Sequence, residues 1–216
     1  MVRAVLFCLA AALPATAAAE AMLYETGPGV PSGYVRFLNA SAAPVAIRAG
    51  GAAIELGAGS FSRYQAIPSG AEQRAKAGVG GTAQEVRVTA ATDEFVTVAI
   101  VAGAAPLLIR DLPQDFNALK ADIAFLNADP ACADAAMRAG ARKTVVFERI
   151  APGAMARRLV NPVEAVIEAA CGTDPVTGSV DLGMLAARGR YSIAVIPDGA
   201  GGHRLVGGRD EQAKYD

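Results

Sequence analysis

The chain says nearly the same thing twice. Phe37-Leu38-Asn39-Ala40 returns as Phe125-Leu126-Asn127-Ala128, and Arg48-Ala49-Gly50 returns as Arg138-Ala139-Gly140. Pro68-Ser69-Gly70 has a looser echo in Pro152-Gly153, and Glu94-Phe95-Val96-Thr97-Val98-Ala99-Ile100 has one in Arg190-Tyr191-Ser192-Ile193-Ala194-Val195-Ile196. The offsets are 88, 90, 84 and 96 residues, in unbroken order. A repeat this long exceeds a solenoid unit, which runs to roughly 20–50 residues. It predicts two tandem domains of one small fold, each large enough for a modest core.

The first residues stand outside the repeat. Met1-Val2-Arg3 is a short positive start, residues 4–13 are apolar, Pro14 breaks the run, and small residues follow to Ala19. This is the layout of a secretory signal peptide. Ala17-Ala18-Ala19 offers an A-x-A cleavage site, so residues 1–19 are expected to be removed. The apolar run falls short of the roughly 20 residues that span a bilayer. Cys8 lies inside that run and not after a lipobox, which argues against a lipid anchor. The mature chain is expected to be exported and soluble.

Cleavage takes one arginine and moves the formal charge from -1 to -2, with 197 residues left. A chain this close to neutral has no basic stripe for nucleic acid or an anionic membrane. Two cysteines survive, Cys132 and Cys171, both in the second copy. In an oxidising compartment an even pair predicts a disulfide, with two buried thiols as the alternative.

Between the turns the pattern is that of strands. In the first copy, runs at residues 34–38, 45–48, 53–56, 61–67, 85–88, 95–101 and 107–110 are separated by Gly, Pro, Ser or Asn. Gln84-Glu85-Val86-Arg87-Val88-Thr89 alternates as a half-buried strand does, whereas residues 95–101 are apolar almost throughout and suit a strand buried on both faces. The second copy offers runs at 123–126, 144–150, 155–160, 163–169 and 191–196. Short strands at such spacing predict an all-β chain of two small antiparallel β-sandwiches. The N-terminal sandwich takes residues 22–112, a linker 113–121, and the C-terminal sandwich 122–211. Two segments compete. Residues 131–142 are rich in alanine, and 161–170 open with Asn161-Pro162, a good helix N-cap and first position. Propensity favours helix there and the repeat favours strand. Residues 111–121 have room for one helical turn.

Catalytic chemistry is hard to find. A Ser-His-Asp arrangement needs a histidine base, and the chain has only His203, approached through Gly201-Gly202 as if at a hairpin tip. No Gly-x-Ser-x-Gly elbow is present. Gly78-Val79-Gly80-Gly81 lacks the Lys-Ser/Thr of a phosphate loop, two thiols and one histidine are too few for a metal, and nothing calls for a cofactor. Asp93-Glu94 and Asp210-Glu211 are adjacent and so point apart if extended.

Binding leaves weaker marks. Tyr24 lies near the mature N-terminus. Arg36 and Asn39 bracket Phe37-Leu38 and are expected to face solvent on one strand. Arg157-Arg158 with Asn161 forms a second polar cluster. These six are candidate partner or polymer contacts, against the plain alternative of surface polarity. The chain has no tryptophan, so stacking on sugar rings would fall to Tyr24, Tyr34, Tyr64, Tyr191 or Tyr215.

Several segments in order resemble one family. Met22-Leu23-Tyr24-Glu25 leads through Pro31-Ser32-Gly33 into Tyr34-Val35-Arg36-Phe37-Leu38-Asn39, and Val160-Asn161-Pro162-Val163 and Arg188-Gly189-Arg190-Tyr191-Ser192 follow. Together with the leader and the duplication, they make the chain similar to the AlgF family of alginate O-acetylation accessory proteins. The resemblance implies a periplasmic, non-catalytic protein that supports O-acetylation of an exopolysaccharide, alginate in that family. It also implies partners: a membrane acyltransferase and periplasmic acetyltransferase proteins like serine hydrolases, with the polysaccharide as a further contact. The Cys132/Cys171 pair and the alanine-rich 131–142 are not features of that resemblance. Two other functions stay open: a direct acetyltransferase with an unrecognised site, and a secreted glycan-binding module.

Overall fold

The structure, a computed structural model, describes residues 29–79 and 81–211. The leader, its cleavage site and Tyr24 lie outside the described residues. Among the described residues every regular element is a strand. In the first half these are β1 (Ser32–Asn39), β2 (Val45–Ala49), β3 (Ala52–Leu56), β4 (Gln65–Pro68), β5 (Gln73–Val79), β6 (Thr82–Val88), β7 (Phe95–Ile100) and β8 (Leu107–Asp111). The second half has β9 (Ala121–Asn127), β10 (Ala135–Ala139), β11 (Thr144–Ile150), β12 (Met155–Val160), β13 (Glu164–Cys171), the two-residue β14 (Asp174–Pro175), β15 (Val180–Met184), β16 (Arg190–Pro197) and β17 (His203–Arg209).

The halves share one topology. An inner sheet runs β4-β1-β7-β8 in the first and β12-β9-β16-β17 in the second. An outer sheet runs β3-β2-β5-β6 in the first, and β11-β10-β13 with β14 and β15 beyond β13 in the second. Most pairs are antiparallel, as expected, but the centre of each inner sheet is not: β1 runs parallel to β7, and β9 to β16. A parallel pair needs a long crossover, and here the outer-sheet strands supply it together with the inner edge strand, β4 in the first half and β12 in the second.

Three apolar cores result. One lies inside each sandwich, around Phe37, Val45, Ile47 and Val98 in the first and Phe125, Met137, Ile167 and Ile193 in the second. The third lies between the inner sheets, where Leu38, Ala99 and Ile109 meet Leu126, Ala194 and Ile196. The protein is therefore four sheets deep, and at about 10 Å per layer the outer sheets sit roughly 30 Å apart. This explains the apolar runs at β7 and β16, which are covered on both faces.

The repeated tetrapeptide is legible in these terms. Phe37 and Phe125 enter their own sandwich cores, and Leu38, Ala40, Leu126 and Ala128 enter the middle one. Asn39 and Asn127 are fully buried and plug the following loop. Asn39 Nδ2 donates to the carbonyls of Ala43, Leu56 and Gly57, and Asn127 Nδ2 to those of Cys132 and Ile150. The echo of Pro68-Ser69-Gly70 in Pro152-Gly153 does not mark equivalent turns. Gly153 corresponds to Gly59: both lie at positive φ (76° and 74°) and both donate their N–H to the carbonyl of the plugging asparagine.

The two helix-prone segments form strands, β10 and β13, whose alternate residues Ala135, Met137, Ala165 and Ile167 fill the second core. Tertiary burial outweighs alanine's helix propensity there. Asn161-Pro162 leads into β13 through a bend, and within 111–121 the chain makes a single hydrogen-bonded turn, the Lys120 N–H donating to the Asn117 carbonyl. Cys132 and Cys171 form a disulfide with Cα atoms 5.5 Å apart, tying the loop before β10 to the end of β13. The run expected at 61–67 is broken: Phe61 makes one bridge to Leu38, and β4 begins at Gln65.

Candidate functional site

Polar chemistry concentrates where the inner sheets meet. Arg36 sits in mid-β1, and its alternation with Val35 and Phe37 turns it away from the first core toward the second half. Its side chain is 2% exposed. Nε donates to Thr97 Oγ1 at 3.0 Å, Nη1 to Asp210 Oδ1 at 2.8 Å and Nη2 to Ser192 Oγ at 2.7 Å. Ser192 Oγ in turn donates to Asp210 Oδ2 at 3.0 Å. Phe61 and Tyr64 cover the guanidinium, with ring centroids 4.4 and 4.3 Å from its carbon. A buried charge is tolerated when it is paired and hydrogen-bonded, and this one is both. Burial pushes the Tyr64 hydroxyl above its ordinary pKa, and the Asp210 charge works the same way against the lowering pull of Arg36.

A second clamp closes the other side. Arg157 of β12 bonds Asp111, the last residue of β8, with Nε 2.9 Å from Oδ2, and its Nη1 reaches Asp122 of β9. Burial opposes the Arg157 charge, but hydrogen bonds to Asp111 and Asp122 and their charges outweigh it and hold the group above its usual value. Arg190 lies over the Phe95 ring at 4.4 Å, 3.8 Å from Asp122 Oδ2. The two halves thus exchange ion pairs: Asp210 of the second with Arg36 of the first, and Asp111 of the first with Arg157 of the second.

The candidate contacts are scattered. Arg36 and Asn39, placed by the sequence at solvent-facing positions, are buried: Arg36 in the joint and Asn39 under a loop. Their strand is covered on both faces, which alternation within one strand does not reveal. Arg157 is mostly buried in the second clamp. Arg158 and Asn161 are exposed. Tyr24 falls outside the described residues. Asp111, Ser192 and Asp210 were not among the candidate contacts, because each gains this role only from a partner in the other half.

His203 is not idle. It opens β17, and Nδ1 lies 2.7 Å from Oδ2 of Asp129, a carboxylate 1% exposed. Asp129 Oδ1 also accepts the N–H of Ala131. The pair fixes the ring and leaves Nε2 without a hydrogen-bond partner among the described residues. Nearby, Asp198 accepts the N–H groups of Ala200 and Gly202, which hold its carboxyl below the ordinary range. Among the described residues, no three His, Cys, Asp or Glu side chains gather to hold a metal.

Two open grooves flank the joint. One, of about 490 Å³, lies over Arg36 and is bordered by Phe61, Arg63, Asp210 and Glu211. The other, of about 440 Å³, lies between β12 and the chain leaving β8, bordered by Asp111, Leu112, Asp115, Arg157 and Arg158.

These features define a class: a duplicated, four-layered β-protein whose strongest polar contacts join its two halves. The family model described as alginate O-acetyl transferase AlgF matches residues 4–191. The alginate biosynthesis protein AlgF of Pseudomonas putida is 32% identical over 157 residues, covering 71% of this chain and 68% of that protein. The chain belongs to the AlgF family.

Proposed function

We propose that this protein is a periplasmic, non-catalytic scaffold required for O-acetylation of an exopolysaccharide, alginate by the family's name. In this reading residues 1–19 direct export, and two sandwiches, 22–112 and 122–211, are joined by a short linker. Different surfaces engage different members of the acetylation machinery: a membrane acyltransferase and periplasmic acetyltransferases like serine hydrolases.

One observation carries the reading. Clamps and a middle core fix the two sandwiches back to back, so that their outer sheets face opposite ways. The outer sheets also differ. The first presents Arg48, Lys76, Glu85 and Arg87, whereas the second presents Val145 and Val166 among its charges. A rigid spacer with two unlike faces suits a bridge, which raises local concentration without chemistry of its own.

The Asp129–His203 pair favours one alternative, direct acetyl transfer, because a buried carboxylate that fixes an imidazole with a free Nε2 is the layout of a general base. One experiment separates the two. Deleting the gene in the producing organism is expected to abolish polymer acetylation while polymer yield persists, and a His203→Ala copy is expected to restore acetylation. Unchanged acetyl content in the deletion strain would sink both readings. Failure of the folded His203→Ala protein to restore acetylation would favour the transferase.

A further inference from the structure

Of the large apolar side chains most exposed among the described residues, three belong to the crossing between the two halves. Leu112 is 55% exposed, Phe116 80% and Leu119 78%. The crossing is anchored at both ends, by Asp111 in the clamp with Arg157 and by the Lys120 carbonyl, which accepts the N–H of Arg188. Between these anchors the backbone of residues 112–116 takes no hydrogen-bond partner from the described chain. The segment arches beside the 440 Å³ groove along β12, an edge strand of its sheet. An isolated exposed leucine means little, but three large apolar side chains exposed within eight residues of one segment are apolar surface of the kind that marks contact sites.

We infer that this crossing is the docking element for a partner protein, whose apolar pocket receives Phe116 and Leu119. The inference rests on the scaffold reading above and adds the surface. Charge describes the partner further. Arg157 is taken by Asp111 and Asp122, but Arg158 and Asp115 border the groove, exposed and without an ionic partner among the described residues. The pocket is therefore rimmed by a carboxylate opposite Arg158 and a cation opposite Asp115, which set orientation more than affinity. A second copy of the chain is a poor occupant. Three such side chains offer on the order of 400 Å², below the roughly 800 Å² per partner of a standard stable interface, so the contact suits a transient encounter with a working partner and not a permanent dimer of this chain. A lipid surface suits it no better, since membrane-seeking segments are rich in Lys and Arg, and residues 112–120 hold one lysine and one aspartate.

The test is the affinity of the purified mature protein for a purified periplasmic alginate acetyltransferase from the same organism, before and after Phe116→Ser with Leu119→Ser. Both positions are exposed, so the variant is expected to keep the wild-type melting temperature and to bind at least tenfold more weakly. Leu119→Lys alone is a second variant, and Val166→Ser with Met184→Ser, on the outer sheet, is the control expected to bind normally. Undiminished binding by both linker variants would overturn the docking element and leave the scaffold standing. So would loss confined to the outer-sheet variant. A wild-type protein that binds no acetylation protein would sink the scaffold itself. Wild-type dimers that the linker variants dissolve would assign the patch to self-association instead.

Discussion

Arg36→Ala tests whether the joint between the halves is a structural unit. The substitution removes a guanidinium that is 2% exposed and leaves Asp210, 9% exposed, without its counter-charge and held only by the donating Ser192 hydroxyl. Breaking a buried ion pair from one side costs about 3–5 kcal/mol. Ring contacts with Phe61 and Tyr64 are each worth up to about 2 kcal/mol when desolvated, but they depend on the same charge and do not add in full. A loss of about 4 kcal/mol is the working figure. In a chain of this size 1 kcal/mol moves the melting temperature by about 2–4 °C, so the expected fall is roughly 8–16 °C. Circular dichroism or tyrosine fluorescence follows it, the latter unobscured because the chain has no tryptophan. Arg158→Ala is the reference, an exposed arginine whose removal costs within about 0.5 kcal/mol. Arg36→Met with Asp210→Leu is expected to recover most of the loss, since apolar replacement of a whole buried pair is often neutral. An Arg36→Ala protein that melts with Arg158→Ala would refute the reasoning.

Two further outcomes follow from the same contacts. Reducing the Cys132–Cys171 bridge opens a loop of 39 residues, and the chain-entropy model puts the loss near 4 kcal/mol; urea unfolding with and without reductant measures it, and coincident curves would remove the bridge from the account. Tyr64 has a raised pKa in the fold, so its contribution is complete below the unfolded value near 10 and is lost as pH rises through the folded value. Tyr64→Phe is therefore expected to flatten the decline in urea midpoint above pH ~10, and an unaltered alkaline limb would contradict the burial of that hydroxyl.

The sequence showed the duplication because burial on both faces left long apolar runs at β1, β7, β9 and β16, and because Asn39 and Asn127 must each plug a loop. It hid β5, whose buried face is Ala75, Ala77 and Val79. Small residues on that face produce a weak alternation between charged neighbours. β17 escaped for a related reason: Gly207 and Gly208 punctuate it like a turn, yet a Cβ at Gly207 would meet the Ser192 carbonyl oxygen at 2.5 Å. That glycine marks close strand approach, not chain reversal. The joint was least visible of all. Asp111, Ser192 and Asp210 are ordinary residues at strand ends and centres, and they become a network only when two remote strands face each other.

The joint also explains why the repeat is imperfect. Two copies of one fold that meet through the same face make contacts in reciprocal pairs, as an isologous dimer does. The turn at Gly59 packs on Val206 of the second half, and its counterpart at Gly153 lies against Leu107 of the first. The terminal aspartates keep this reciprocity, Asp210 answering to Asp111. Their arginines do not. Arg36 lies on β1, where the second half has Ala124, and Arg157 lies on β12 beside that alanine. Likewise Tyr34 pairs with Phe95 across β1 and β7, where the second half pairs Asp122 with Arg190. An arginine from one side and an aromatic from the other then meet, Arg190 over Phe95. Such pairs need unlike partners, so the two halves diverged where they touch. Once the inner faces are committed to each other, only the outer sheets, the grooves and the crossing at residues 112–120 remain to meet other molecules. The crossing has no counterpart in the repeat, and among the described residues it carries three of the exposed large apolar side chains, Leu112, Phe116 and Leu119.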